Sequence, residues 1–325
     1  MFQLDVVICT YNNASLLDRT LDFLGRQQAG PGIEWRVLIV DNNCTDDTAG
    51  VVEKHRRSNL PRLRILVEPR QGLTPARLCG VTNTSADWLA FLDDDCLVSE
   101  NWIANVCAFA RAHPTCGAFG GKVIPEWEHP PPEWLSRFHY CFAEQDHGAE
   151  VKQVDCLVGA GMVINRAALL RSGWLDRQFL QDRIGRKLVS GGDVEIALRL
   201  RAVSALWYTP ECSIRHFIPA WRTSCDYLCR INRGLGTSKL LEDAMLWRGG
   251  WVGFVLTSVR RMFRESAGTA AWQLKARLRG NIPPEIPISA TFVDGEWAGI
   301  RLLMSMDPEV RRALVGCARP VDVNG

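Results

Sequence analysis

The segment Trp88-Leu89-Ala90-Phe91-Leu92-Asp93-Asp94-Asp95 passes from five apolar residues directly into three carboxylates. An unbroken apolar run of this length reads as a strand covered on both faces, and no core role accounts for three adjacent like charges at its end. Three further runs share the form: Asp5 to Cys9, Arg36 to Val40 and Leu63 to Val67. Helical patterns separate them, as in Leu16, Leu17, Thr20, Leu21 and Leu24, so strand and helix alternate and predict a parallel sheet with crossover helices. Ligands of such sheets gather at the carboxyl ends of the strands. The polar stretches Thr10-Tyr11-Asn12-Asn13, Asp41-Asn42-Asn43, Glu68 to Gly72 and Asp93-Asp94-Asp95 all fall there.

The chain of 325 residues has room for two domains or one large α/β domain with an appendage. With 47 % hydrophobic and 23 % charged residues it matches neither a disordered nor a polytopic membrane chain. A net charge of +2 supplies no overall field for nucleic acid, which is not expected as a partner. The twelve cysteines are scattered without a C-x-x-C pair, so reduced thiols are expected rather than disulfides or zinc. The start, MFQLDVVICTYNN, has no signal-peptide pattern, and no apolar run approaches the roughly 20 residues of a spanning helix. A cytoplasmic location is the expectation.

Beyond an apolar helix at Trp102 to Ala110 the pattern becomes mixed. Ala118 to Ile124 reads as a strand, Glu126 to Trp134 as a proline-rich aromatic loop, Val154 to Asn165 as a strand region and Asp193 to Arg201 as a helix. Trp127 and Trp134 suit either sugar stacking or core packing. The expected division is a first α/β half at 1–115, a mixed second half of the same domain at 116–240, and a basic, partly amphipathic helical extension at 241–325.

Hard carboxylate oxygens at Asp93 and Asp95, on one side of an extended strand end, suit Mg²⁺ or Mn²⁺ shared with a diphosphate. Asp41 reads either as a contact to base or ribose or, with Asn43, as an Asx turn capping the next helix. Thr10, Tyr11 and Asn12 offer a hydroxyl, a ring and an amide beside it. Arg77, in the first turns of a helix opened by Gly72 and Pro75, can reach a phosphate. Asp193 and Glu195 open a helix after Gly191-Gly192, which fits macrodipole stabilisation and equally a base beside a substrate hydroxyl. His216 is a structural histidine or a third metal ligand. No dinucleotide fingerprint, P-loop or nucleophile elbow is present.

In order and spacing, VVICTYNN, LIVDNNCTDDT, GLTPARLCG, LAFLDDD, LVGAGMVINRAAL and GGDVEIALRL resemble the family 2 glycosyltransferases, inverting enzymes of GT-A fold, over roughly residues 4 to 240. The resemblance implies a mostly parallel nucleotide-binding sheet flanked by helices, a nucleotide-diphospho-sugar donor with UDP favoured, and Mn²⁺ or Mg²⁺. It implies further that Thr10, Tyr11 and Asn12 line the nucleoside pocket with Asp41 and Asn43, and that Arg77, Asp93 and Asp94 lie along the donor. Asp95 and His216 would hold the metal, Gly161 would belong to the segment lining the sugar, and Asp193 would be the base. The family's usual Glu-Asp pair reads Gly192-Asp193 here, which leaves Glu195 as a rival base. A sugar-phosphate nucleotidyltransferase and a dead glycan-binding domain are the alternative readings.

Residues 245–280 carry seven basic side chains and one acid. Within them Val252, Val255, Leu256, Val259, Met262 and Phe263 follow helical spacing, beside Arg260, Arg261 and Arg264. Such a helix packs on the catalytic domain or lies on an anionic membrane, in which case a lipid-linked acceptor and the inner face of the plasma membrane follow.

Overall fold

The computed structural model describes residues 1–180, 182, 190–280 and 282–319, so that the expected extension is described except at 281 and 320–325. Its first third is the predicted alternation: β1 (Phe2–Thr10), α1 (Ala14–Gly25), β2 (Ile33–Asp41), α2 (Thr48–Ser58), β3 (Leu63–Val67), α3 (Leu73–Thr82) and β4 (Trp88–Phe91). Strands β3, β2, β1 and β4 lie side by side and parallel. Along β1, Leu4, Val6 and Ile8 enter the core on one face with Leu17, Leu21 and Trp102, while Val7 enters the core on the other with Val40 and Ala76. Burial on both faces is the reason these strands lack polar alternation, and each fully buried Leu, Val or Ile contributes about 1.5 to 3 kcal/mol.

The second half completes the same sheet. After β5 (Cys96–Val98) and α4 (Trp102–Ala112) come β6 (Ala118–Gly120), β7 (Val123–Trp127), β8 (Lys152–Val154), β9 (Met162–Asn165), α5 (Arg166–Arg171), α6 (Gly192–Val203), β10 (Leu206–Tyr208) and β11 (Ile214–Ile218). The main sheet runs β3-β2-β1-β4-β9-β6-β10-β8, with β9 antiparallel to both neighbours. A smaller sheet, β5-β11-β7, stands beyond β4. The stretch expected as one strand, Ala118 to Ile124, is two strands in different sheets. The chain changes sheet at Gly120-Gly121, and Gly121 packs against the Cys212 carbonyl too closely for any side chain. The stretch Val154 to Asn165 likewise divides around a loop that enters the cleft described below.

Four helices follow: α7 (Cys225–Leu246), α8 (Trp251–Leu278), α9 (Glu285–Ser305) and α10 (Pro308–Leu314). The boundary expected at residue 240 falls inside α7, whose N-terminal half packs on the catalytic domain through Tyr227, Leu228 and Ile231. Its C-terminal half shares a core with α8 and α9, built from Leu240, Leu241, Phe254, Met262 and Leu303 and joined by Leu198 of α6. Among the described residues no helix is long and apolar enough to cross a membrane. All twelve cysteines are free.

Candidate functional site

The carboxyl ends of β1 and β4, the loop before β9 and the start of α6 surround a cleft of about 1130 Å³. Thr10, Tyr11, Asn12, Arg77, Asp93, Asp94, Asp95, Asp193 and His216 all line it, so residues spread over 200 positions converge as the sheet topology requires.

The acidic tip of β4 is organised residue by residue. Asp94 accepts hydrogen bonds from Thr10 Oγ1 at 2.6 Å and Asn13 Nδ2 at 2.7 Å. Its carboxyl group is enclosed although part of the residue stays accessible, and burial, reinforced by Asp95 and Asp93 against those two bonds, pushes it up to about 7. Asp95 is buried and faces His216 Nε2 at 3.3 Å and Arg222 Nη1 at 3.1 Å. Ligand atoms of Asp93, Asp95, Cys96 and His216 all lie within 4.8 Å of one another. Asp93, which the resemblance places along the donor, thus also brings its carboxylate to this cluster.

His216 sits in β11, and its Nδ1 lies 2.8 Å from the Phe142 carbonyl. A carbonyl can only accept, so Nδ1 carries the proton and Nε2 presents its lone pair to the acidic tip whenever the ring is neutral. Burial opposes the charged ring, but Asp95 more than offsets it and raises its pKa. Two carboxylates and an oriented imidazole fit a hard or borderline divalent cation. Cys96, whose thiol burial raises well above its usual range, is a soft ligand that suits a hard cation less well.

On the other wall Gly191, with φ of 128°, turns the chain into α6. Asp193 in the first turn faces the cleft, where its Oδ2 accepts the Gly159 amide at 2.9 Å. Glu195, the rival base, does not line the cleft. Two residues along a helix is about 200° of rotation, which turns it into the interior. It is fully buried, accepts from Leu180 N at 2.7 Å and Phe179 N at 2.9 Å, and pairs with Arg199 at 2.8 Å. Between the walls Arg77 is buried with its Nη1 2.5 Å from Asp182 Oδ2. Burial works against its charge, and Asp182, Asp193 and Asp93 together keep it protonated.

Three residues expected along the donor are not among those that line the cleft. Asp41 Oδ1 accepts from Cys44 N at 2.7 Å, which is the Asx turn, and Asn43 adopts a φ of 67° that sends its amide to the Pro69 carbonyl at 3.0 Å. Asn42 lines the cleft instead, fixed by the Gly72 amide donating to its Oδ1 at 2.7 Å. Gly161, with φ of 74°, shapes the turn into β9 but does not line the cleft. Trp127 and Trp134 pack against Phe138 and Phe142 in a core cluster, whereas Tyr140 and Trp221 line the cleft and stay exposed. Sequence reading missed Asn42, Arg222 and Asp182. For Arg222 the only available signal was its place six residues after His216.

Residues 5–173 match the family described as Glycosyl transferase family 2. Succinoglycan biosynthesis protein ExoM of Rhizobium meliloti is 26 % identical over 299 residues, 86 % of this chain and 91 % of that protein. Glucosyl-dolichyl phosphate glucuronosyltransferase of Haloferax volcanii is 23 % identical over 256 residues, 75 % of this chain and 78 % of that protein. Mannosyltransferase PcManGT from Pyrobaculum calidifontis, solved with GDP-Man and Mn²⁺, superposes with a TM-score of 0.59 at 17 % identity, covering 91 % of this chain and 86 % of that one. A parallel sheet with its acidic tip in the ligand cleft and a family match over more than half the chain lead to one assignment: this chain belongs to glycosyl transferase family 2 and is a metal-dependent glycosyltransferase of GT-A fold.

Proposed function

We propose that the protein transfers a sugar, with inversion, from a nucleotide-diphospho-sugar to an acceptor hydroxyl during assembly of a cell-surface glycan or glycoconjugate. The observation that carries this reading is the convergence of Asp93, Asp95 and His216 in the cleft that Asp193 faces from the opposite wall. Asp93, Asp95 and His216 Nε2 would hold Mn²⁺ or Mg²⁺. Bound there, the cation supplies positive charge to the departing nucleoside diphosphate. Arg77, buried and charged, presents further positive charge to the same cleft. Asp193, aimed by the Gly159 amide, takes the acceptor's proton as its oxygen attacks the anomeric carbon. Thr10, Tyr11, Asn12 and Asn42 form the nucleoside side.

A UDP-sugar is the favoured donor. The relatives named for succinoglycan biosynthesis and for a dolichyl phosphate substrate support a glycan or lipid-linked acceptor, and with it work at the cytoplasmic face of the membrane. Thermal unfolding with nucleoside diphosphates, with and without Mn²⁺, tests the reading. At about 100 times its dissociation constant the right nucleotide adds roughly 2.7 kcal/mol. Stabilisation that is the same without metal, or the same in Asp95→Asn, would overturn it.

A further inference from the structure

Helix α8 has two apolar faces, and the fold buries only one of them, touching the other at Phe263, whose ring stands edge-on to Trp297 of α9 at 5.1 Å. Phe254, Ser258, Met262 and Ala276 are buried on one side, where α8 meets α7 and α9. At 100° per residue, Val252, Leu256, Phe263, Leu274 and Leu278 fall within about 80° of one another on the opposite side. They are between 55 % and 81 % exposed. Ala267 and Ala270 continue the stripe between them and are exposed as well, so it runs for some 26 residues, about 40 Å at 1.5 Å each.

The same helix and its flanks hold the excess positive charge of the chain. Of the seven basic residues in 245–280, only Arg261 turns inward, to Asp243 at 2.7 Å and Glu296 at 2.6 Å. Arg248, Arg260, Arg264, Lys275, Arg277 and Arg279 are exposed, and none is in an ion pair among the described residues. On the helical wheel Arg260 and Arg264 border the stripe on one side and Arg277 on the other.

We infer that this face of α8 docks on an anionic lipid surface, the helix lying in the plane of the interface with Leu256, Phe263 and Leu274 inserted and the arginines at the headgroups. Charge decides the occupant. Two copies paired through this stripe would set its arginines against each other, a juxtaposition that like charges oppose, whereas anionic headgroups complement them. An exposed stripe of about 40 Å along one helix also suits a plane better than a pocketed protein partner. The inference deepens the proposed membrane location, and its test needs neither sugar nor metal, so its failure leaves the glycosyl-transfer reading untouched.

The experiment is sedimentation of the full chain with vesicles of phosphatidylcholine alone or mixed with phosphatidylglycerol. Binding to the mixed vesicles only, weakening with salt, is expected. Each of Arg260→Gln, Arg264→Gln and Arg277→Gln should lower partitioning about fivefold, and a Leu256→Ser, Phe263→Ser, Leu274→Ser triple variant should abolish it. All of these variants should keep the wild-type circular dichroism spectrum and melting temperature, which shows that the chain is folded. Failure of the wild-type chain to sediment, or unchanged binding of the triple variant, would overturn the inference. So would a wild-type dimer in light scattering that the triple variant dissolves, since the stripe would then be a self-interface.

Discussion

The carboxylate of Asp182 occupies the space that any side chain at Gly192 would fill. Asp182 Oδ1 also accepts the Gly192 amide at 2.8 Å, while Oδ2 holds Arg77. Beside Gly192, immediately before Asp193, the chain thus places a carboxylate from ten residues earlier. One group ties Arg77 to the first turn of α6, and so to Asp193.

This predicts strong coupling between the two positions. Gly192→Ala should cost about 1 to 3 kcal/mol because its methyl lands on the carboxylate. Asp182→Ala should cost about 3 to 5 kcal/mol by leaving the Arg77 charge buried without its partner. In the double variant the methyl has room, so the second change should cost little. Denaturant unfolding of all four forms measures this, and costs that add to within about 0.5 kcal/mol would refute the arrangement.

Asp193 and Glu195 should separate cleanly. Asp193→Asn is expected to lower kcat about 10² to 10⁴-fold with donor binding retained. Glu195→Gln should instead lower stability by about 2 kcal/mol or more, since Arg199 and two backbone amides lose their buried anion, with turnover per folded molecule within a few-fold of wild type. Gly159→Ala should resemble Asp193→Asn, because its Cβ would stand 2.9 Å from Asp193 Oδ2 and 2.8 Å from Arg77 Nη2. Steady-state kinetics beside melting curves distinguish the three.

Chelation should remove the stabilisation by nucleoside diphosphate and leave the unfolding of the free protein unchanged. His216→Ala should weaken Mn²⁺ binding at least about 10 to 100-fold, read by calorimetry without any substrate. Wild-type metal affinity in that variant would exclude the imidazole as a ligand.

The pH dependence of stability should carry the mark of Glu242 on α7. Burial pushes its carboxyl up to about 7, with Lys239 opposing the rise and Asp193 and Asp243 adding to it. The folded form thus holds the proton longer than the unfolded chain, whose carboxyl titrates near 4.5. Below that value the group contributes nothing; stability falls as pH rises from about 4.5 to 7, and the full penalty stands above. Glu242→Gln should flatten this decline and raise stability above pH 7 by the order of 1 kcal/mol. Equal slopes in the two proteins would disprove the assignment.

The sequence alone determined the four parallel strands β1 to β4 and their ligand-binding edge. Strands buried on both faces must be apolar throughout, and polar clusters that follow each of them have no place but the carboxyl edge, so Thr10 and the aspartates after β4 were legible from type and position, while Arg77 and Asp193 were singled out only by the resemblance. The direction of a side chain in a turn was not legible, because it follows from φ and ψ: Asn42 enters the cleft, while Asn43, at a φ of 67°, leaves it. Asp193 and Glu195 looked interchangeable until the helix set them about 200° apart. Only the tertiary structure brought Asp182 beside Gly192 and Arg222 beside Asp95, since those contacts join segments whose sequences carry no trace of one another. Only packing decided which apolar face of α8 the core would cover, because periodicity reports that a face is apolar and not what meets it.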